Sequence, residues 1–150
     1  MVRNGVTLRS VDPADLDVFY AQANDPTAIA RANVPPRSKP EFYAHWRNRI
    51  VGDPTVLART VCAGDAAAGY LVSWWQDGHR TVGYWLGREF WGQGVGTAAL
   101  LQFLSLEVTR PLYADTDVAN TASRRLLERC GFKVVETRHA DVDYVIFVLD

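Results

Sequence analysis

The chain has little cysteine, no long apolar run and no excess of charge of one sign. Its 150 residues include two cysteines, Cys62 and Cys130, too few for a disulfide framework and, without C-x-x-C spacing, for a cysteine zinc site. No stretch approaches the roughly 20 apolar residues of a membrane-spanning helix, and residues 1–5 lack the apolar core of a secretory signal. We therefore expect a cytoplasmic protein with no membrane partner.

The charge balance excludes a further class. Sixteen basic and seventeen acidic residues leave a net charge of −1, whereas a sequence-independent nucleic-acid binder needs a strong basic excess. The three histidines His45, His79 and His139 show no metal-ligand spacing, so we expect no metal cofactor and no nucleic-acid partner. The apolar fraction of 48% supports a packed core, and the length favours one domain over residues 1–150.

Periodicity and capping signals predict seven strands and four helices. Alternating apolar residues place strands at 6–11, 55–61, 67–75, 81–86, 111–116, 133–137 and 144–149. Helical spacing places helices at 12–23, 38–50, 94–108 and 120–129. The order β-α-α-β-β-β-α-β-α-β-β predicts an α+β fold, in which helices pack on a mixed, mostly antiparallel sheet.

The most informative segment is residues 83–97, where a strand leads through a glycine-rich loop into a helix. The free N–H groups and partial positive charge of a helix N-terminus suit phosphate or diphosphate. A nucleoside-triphosphate loop would need lysine before Thr97, where Gly96 stands. The dinucleotide pattern G-x-G-x-x-A fits residues 94–99, with Asp115 and Asp117 about 20 residues later. Three consecutive strands before this loop contradict the alternating units that such a fold requires.

Residues 84–97 resemble motif A of the GNAT superfamily, the CoA-dependent N-acyltransferases. That motif reads [RQ]-x-x-G-x-[GA] after a strand; Gly94 and Gly96 take the glycine positions, and Trp91 stands where Arg or Gln is usual. Residues 120–132 match the pattern N-x-x-S-x-x-x-L-E-[KR]-x-G-F of the ribosomal-protein Ser/Ala N-terminal acetyltransferase branch. The resemblance implies a three-layer α/β/α GNAT-like fold with a seven-stranded sheet and helices on both faces.

The resemblance also implies acetyl-CoA as co-substrate. An amine, either a small molecule or a peptide N-terminus, would attack the thioester directly in a ternary complex. Loop N–H groups would bind the diphosphate, and the pantetheine arm would lie in the splay between the fourth and fifth strands. The implied cofactor-binding residues are Tyr84, Trp85, Leu86, Trp91, Gly92, Gln93, Gly94, Val95, Gly96, Thr97, Asn120 and Ser123.

Two proton transfers need candidate residues. The acceptor amine is mostly protonated near neutral pH and must lose a proton before it attacks. Glu89, just past the fourth strand, is our first candidate base, and Asp115 and Asp117 are the others. A chain of water molecules without a dedicated base is the remaining alternative. Many members of the family protonate the leaving thiolate with a tyrosine at the position of Leu127. The implied substitute acid here is Ser123, with Asn120 beside it.

The acceptor side is predicted to be built by the first two helices, the loop between them and the last hairpin. Its candidate substrate-binding residues are Tyr43, Trp46 and Trp74, with Arg31 in the same region. Cys62 and Cys130 are expected to be buried apolar residues rather than acyl carriers. The final hairpin offers an edge for a homodimer, as is common in the family.

A second hypothesis belongs to another functional class. The chain would bind acyl-CoA as a sensor or interaction module without transferring anything. The departures at Trp91 and Leu127 from the family pattern keep this alternative open. Amine-dependent release of CoA thiol distinguishes it from an enzyme.

Overall fold

A computed structural model describes residues 5–150. The beginning of the chain, residues 1–4, where we expect no signal sequence, lies outside the described residues. The strands are β1 Val6–Arg9, β2 Leu57–Ala63, β3 Ala66–Gln76, β4 His79–Leu86, β5 Leu112–Asp117, β6 Lys133–His139 and β7 Asp143–Leu149. The helices are α1 Asp15–Ala23, α2 Pro26–Ala32, α3 Lys39–His45, α4 Val95–Leu106 and α5 Thr121–Arg129, with a π-helical turn Trp46–Val51 after α3 and a 3-10 turn Arg88–Phe90 before α4.

The seven strands form one mixed sheet in the order β1-β2-β3-β4-β5-β7-β6. Neighbouring strands run antiparallel except β4 and β5, which are parallel. These two strands pair at Arg80–Leu112 and Thr81–Tyr113 and nowhere further along. Beyond Thr81, β4 stays paired with β3 and β5 stays paired with β7. A wedge-shaped splay therefore opens in the middle of the sheet, as the resemblance implies.

Helices cover both faces of the sheet, which confirms the α+β architecture. On one face, α4 and α5 close a core around Leu100, Phe103 and Phe147. On the other face, α1 and α3 close a second core around Phe19 and Trp46. Full burial of such side chains stabilises the fold by roughly 1.5–3 kcal/mol each. The sheet is thus anchored from both sides while its central splay stays open.

The structure contains one helix more than the sequence analysis predicts. Helix α2 lies in the connection between the two predicted N-terminal helices. Its start carries recognisable signals, since the Asp25 side chain accepts a hydrogen bond from the N–H of Thr27 and Pro26 is its first residue. At seven residues, it is too short to show a helical apolar period. This missed helix forms part of the site described below.

Several expectations about composition can be compared with the described chain. Cys62 and Cys130 are both buried and form no disulfide, and burial raises the pKa of the Cys130 thiol. Across residues 5–150, no helix has the length and apolar character needed to cross a bilayer. The same part of the chain contains no cluster of three or more His, Cys, Asp or Glu suited to a metal ion.

Candidate active site

A cleft of about 440 Å³ occupies the splay between β4 and β5. Its walls come from β4 at residues 82–86, from the end of β5 at 115–117 and from the start of α5. Residues 28–34, in α2 and the loop after it, line one side, and Val142 and Tyr144 of the last hairpin line the end. Two of the segments predicted to build the acceptor side, the connection that contains α2 and the last hairpin, therefore line the cleft, whereas the two longer helices α1 and α3 do not.

The N-terminus of α4 lies outside the cleft lining but packs against two residues of it, Leu86 and Leu126. Gly94 caps this helix with a φ of 78°, a left-handed conformation that favours glycine. The first helical hydrogen bond runs from the N–H of Ala98 to the carbonyl of Gly94, at 3.1 Å. The N–H groups of residues 95–97 therefore precede the helical ladder and lack partners within it. Together with the helix dipole, they suit an anionic group such as diphosphate.

Gly96 has a packing role in addition to its place in the loop. A Cβ atom there would lie 2.6 Å from Leu126 Cδ1 and 3.2 Å from Leu86 Cδ1. Glycine therefore lets α4 approach both α5 and β4 closely. Val95, the neighbouring predicted cofactor residue, is buried in the core. These two residues can serve a ligand through their backbone N–H groups.

Two tryptophans are fixed along the β4 wall. Trp91 donates an indole hydrogen bond to the carbonyl of Leu86 at 3.1 Å. Trp85 donates one to the carbonyl of Gln22 in α1, also at 3.1 Å. Both tryptophans line the cleft. Their indole hydrogen bonds to backbone carbonyls therefore fix the wall that β4 and the following loop contribute.

Asn120 and Ser123 lie at the start of α5, where the sequence predicts a helix cap. The Asn120 side chain accepts a hydrogen bond from the backbone N–H of Ser123 at 3.2 Å. The Ser123 hydroxyl lies 2.5 Å from the hydroxyl of Tyr84 on β4, and all three residues line the cleft. Burial raises the pKa of Tyr84, so its hydroxyl stays protonated. The sequence analysis assigns Tyr84 a backbone role and misses this side-chain contact.

Asp115 presents a free carboxylate to the cleft. It lies two residues beyond Tyr113 on β5, and Gly83 lies two residues beyond Thr81 on β4, so each follows the last paired position on its own side of the splay, and both line the cleft. Within residues 5–150 its carboxylate has neither an ion pair nor a hydrogen bond, and desolvation raises its pKa. An accessible, unpaired carboxylate with a raised pKa is suited to accept a proton.

The other two candidate bases lie in different surroundings. The carboxylate of Asp117 accepts hydrogen bonds from the Asn33 side chain at 2.8 Å and from the N–H of Ala119 at 2.9 Å, and these bonds lower its pKa. Glu89 is exposed on the 3-10 turn and does not line the cleft. The structure therefore places Glu89 away from the reacting groups, because the chain turns outward directly after β4.

The three predicted substrate-binding aromatic residues separate in the structure. Trp46 is 1% exposed and packs in the core, where its ring centroid lies 4.7 Å from that of Tyr70, so the structure places it outside the cleft. Tyr43 lies outside the cleft lining and hydrogen-bonds Asp17. The ring of Trp74 lies 3.1 Å from the Cβ position of Gly83. Trp74 is therefore next to the cleft wall.

Comparison with known proteins decides the family. Residues 6–133 match the family model of the acetyltransferase (GNAT) domain. The chain belongs to this family. A search of curated protein sequences found no significant match. As a GNAT acetyltransferase domain, the chain is an N-acetyltransferase that uses acetyl-CoA as its co-substrate.

Solved structures of other GNAT proteins share the fold over nearly the whole chain. A spermidine N-acetyltransferase from Vibrio cholerae, in complex with CoA and spermine, superposes with a TM-score of 0.81 at 15% identity and covers 97% of this chain and 95% of that one. An aminoglycoside acetyltransferase, AAC(6')-Ib in complex with coenzyme A, gives a TM-score of 0.79 at 20% identity over 96% and 94%. At these identities the likeness concerns the fold.

Proposed function

We propose that this GNAT domain acetylates a small primary amine by direct attack on acetyl-CoA in a ternary complex. The observation that carries the proposal is the splay after Thr81 and Tyr113, which leaves one edge of β4 unpaired. This edge leads to the free N–H groups of the α4 N-terminus at one end. Across the splay it faces the free carboxylate of Asp115.

The residues of the cleft fit acetyl-CoA. The two amides of the pantetheine arm can pair with the unpaired edge of β4 at residues 82–86, as an added strand would. The N–H groups of residues 93–97 can bind the diphosphate. A backbone N–H on the β4 edge can stabilise the oxyanion that forms when the thioester is attacked. Acetyl-CoA supplies the activated acetyl group.

Asp115 is the proposed general base. It accepts one proton from the acceptor ammonium group, which frees the nitrogen lone pair to form the N–C bond as the C–S bond breaks. That proton then passes to water. The nitrogen loses a second proton as the amide forms. The departing thiolate gains one proton, so the reaction as a whole releases one proton to solvent. Asp117 is engaged with Asn33 and Ala119 and is not assigned this role.

Ser123 is the proposed donor to the thiolate, and its contact with Tyr84 explains why a proton is available. The two hydroxyl groups carry two protons, and the hydrogen bond between them uses one. When Tyr84 donates to Ser123, the Ser123 proton is free to point into the cleft, because within residues 5–150 the Ser123 hydroxyl contacts no other hydrogen-bonding group. In the opposite orientation the Tyr84 hydroxyl can donate to the Ser123 carbonyl at 3.5 Å, so the proposal assigns the first orientation to the reacting complex. Asn120 acts as a positioning residue, because it holds the N–H of Ser123.

The cleft volume favours a small acceptor. About 440 Å³ lies within the usual range for small-molecule sites, roughly 300–1,000 Å³, and the cofactor arm takes part of it. The motif in residues 120–132 resembles a branch that acetylates peptide N-termini, but α2 lies beside the cleft and restricts an extended peptide. The likeness to structures bound to spermine or named for aminoglycosides supports an amine acceptor.

Neither Trp74 nor Tyr43 is part of the cleft lining. Trp74 remains our candidate for acceptor contact, since its ring packs on Gly83, which lines the cleft. Tyr43 is not retained, because its hydroxyl is hydrogen-bonded to Asp17. The expectation of a homodimer is assigned to β6, an edge strand in which all seven residues are exposed. We also retain a cytoplasmic location as part of this proposal.

Calorimetric titration tests the cofactor part of the proposal. We expect saturable binding of acetyl-CoA and of desulfo-CoA, and no binding of NAD. Addition of primary amines to the acetyl-CoA complex should then release CoA thiol. CoA binding without amine-dependent release would support the sensor hypothesis, and NAD binding would contradict the assignment of the loop.

A further inference from the structure

Arg31, near the end of α2, is an unpaired cation inside the cleft. It is half-buried and lines both the main cleft and an adjoining cavity beside Asn120. Within residues 5–150, no carboxylate forms an ion pair with it and its guanidinium donates no hydrogen bond. Partial burial lowers its pKa, which indicates desolvation without compensation. Arginine nevertheless remains charged in proteins, so the N–H donors of Arg31 are available to an anion that enters the cleft.

The ring of Trp91 holds this guanidinium. The Arg31 Cζ atom lies 3.9 Å from the ring centroid, within cation–π distance. Stacking uses the face of the guanidinium and leaves the N–H donors in its plane free. Trp91 is itself fixed by its hydrogen bond to the Leu86 carbonyl. The platform is therefore formed before any ligand binds.

Polar contacts at both ends of α2 keep Arg31 at this position. The Arg88 guanidinium lies 3.0 Å from the Asp25 carboxylate and also donates to the hydroxyl of Thr27 at 3.0 Å. At the other end, Asn33 donates to Asp117 at 2.8 Å. Because α2 buries little beyond Ala28, these contacts rather than a core fix its position across the cleft.

We propose that Arg31, presented by Trp91, binds the diphosphate of acetyl-CoA and so completes an anion site that the glycine loop forms only in part. This inference rests on the proposed function. Trp91 directly precedes the loop whose N–H groups are assigned to the same diphosphate. It also stands where the family motif has Arg or Gln. Arg31, stacked on Trp91, therefore places a planar cation beside this loop.

The competing interpretation gives Arg31 to a carboxylate on the acceptor. The stacking of Arg31 on Trp91 favours binding to the cofactor, because Trp91 directly precedes the glycine-rich loop. The acceptor base, Asp115, lies on the opposite strand. The guanidinium adds a positive charge next to the positive end of the α4 dipole. Two positive groups at one place suit an anion with more than one negative charge, such as a diphosphate.

The test compares Arg31→Gln with wild type in calorimetric titrations of CoA, dephospho-CoA and pantetheine, each carried to millimolar concentration. We expect CoA and dephospho-CoA to bind at least about 10-fold more weakly, because a charge-assisted hydrogen bond contributes roughly 1.5–3 kcal/mol. Pantetheine, which lacks phosphate, should bind both proteins equally. Arg31→Lys should lie between the two, since lysine keeps the charge and loses the planar stack.

Arg49→Gln serves as the matched control, because Arg49 is exposed on the π-helical turn and its loss changes net charge equally. Thermal unfolding checks that each variant keeps the fold. Equal loss for all three ligands would show a packing role and overturn the inference, and loss for CoA alone would assign Arg31 to the 3′-phosphate instead. An increase in the acceptor KM with unchanged CoA affinity would assign it to the acceptor. If wild type binds no CoA, the proposed function itself fails.

Discussion

The two ends of the cleft are built in different ways. At the loop end, residues 83–86 and Trp91 line the cleft, and the glycine-rich loop and the α4 N-terminus follow them directly in the chain. The acceptor end is assembled from α2, the end of β5 and the last hairpin, which are far apart in sequence. Arg31 is the exception within α2, because its contact with Trp91 places it at the loop end. The first uses backbone N–H groups, whereas the second uses the side chains of residues such as Asp115 and Tyr144.

This difference separates what binds the common cofactor from what selects the acceptor. Backbone donors at a helix N-terminus depend on conformation and tolerate many side chains. Side chains brought together by tertiary structure change with any substitution, so acceptor choice can change without loss of the fold. If this division holds, substitutions at the loop end should change CoA affinity, and substitutions at the other end should change turnover.

The largest effect is expected for Gly94→Asp. A carboxylate at the α4 N-terminus repels the diphosphate and replaces a glycine with a φ of 78°. CoA affinity should fall at least about 100-fold, as expected when charge-assisted hydrogen bonds of roughly 1.5–3 kcal/mol each are lost. Calorimetry measures the change. Gly78→Asp is the matched control, because Gly78 has a φ of 80° in the distant β3–β4 turn. Unchanged CoA affinity in Gly94→Asp would remove the loop from the site.

The next effect concerns the acceptor end. Asp115→Asn should lower kcat about 100-fold, within the usual contribution of a general base, and leave the Kd of acetyl-CoA unchanged.

The pH dependence of the rate gives a second test of Asp115. Wild-type activity should fall as pH drops through the raised pKa of Asp115, because protonation removes the base. The variant should lack this acidic limb and recover part of its rate at high pH, where the amine deprotonates unaided. Asp65→Asn, on an exposed turn, controls for charge. A wild-type pH profile in the variant would contradict the assignment.

A smaller effect is expected for Ser123→Ala. A thiolate leaves readily, so loss of its hydrogen-bond donor should lower kcat about 10-fold, below the usual range for general acids. Steady-state kinetics with saturating acetyl-CoA measure this. Tyr84→Phe should cause a similar loss, and the double variant should be little worse than either, because the two hydroxyls act as one unit. Additive losses would mean that the 2.5 Å contact has no part in proton donation.

The smallest effect is expected for the cysteines. Cys62→Ala and Cys130→Ala should keep wild-type kcat, because direct attack needs no acyl-cysteine and both thiols are buried. Each variant should lose some stability from the removed core volume, which thermal unfolding measures. Loss of turnover with an intact fold would instead indicate an acyl-enzyme.

The loop end could be predicted from sequence because its signals are local. Gly94 and the cap at Asn120 lie within a few residues of the groups they serve, and the strand alternation correctly predicts all seven strands. The hydrogen bond between Tyr84 and Ser123 spans 39 positions and leaves no local pattern. Likewise, Asp115 and Asp117 look equivalent as sequence, and what separates them is Asn33, 84 residues away from Asp117.

The errors at the acceptor end share a physical origin. Trp46 and Trp74 are both aromatic residues with apolar neighbours, and only the packing of α3 on the sheet shows that Trp46 is core. Glu89 follows the β4 strand directly, but the 3-10 turn carries it outward. Helix α2 depends on a cap and a proline rather than on an apolar stripe. Each of these outcomes is decided by contacts between distant segments.

The central claim, that this cleft transfers an acetyl group to an amine, is tested most directly by the rate of CoA thiol release with and without a panel of small primary amines. The account predicts slow release from acetyl-CoA alone and a saturable increase with at least one amine, together with the matching acetamide product. Tight acetyl-CoA binding with no amine raising the rate above background would contradict it and favour a sensor.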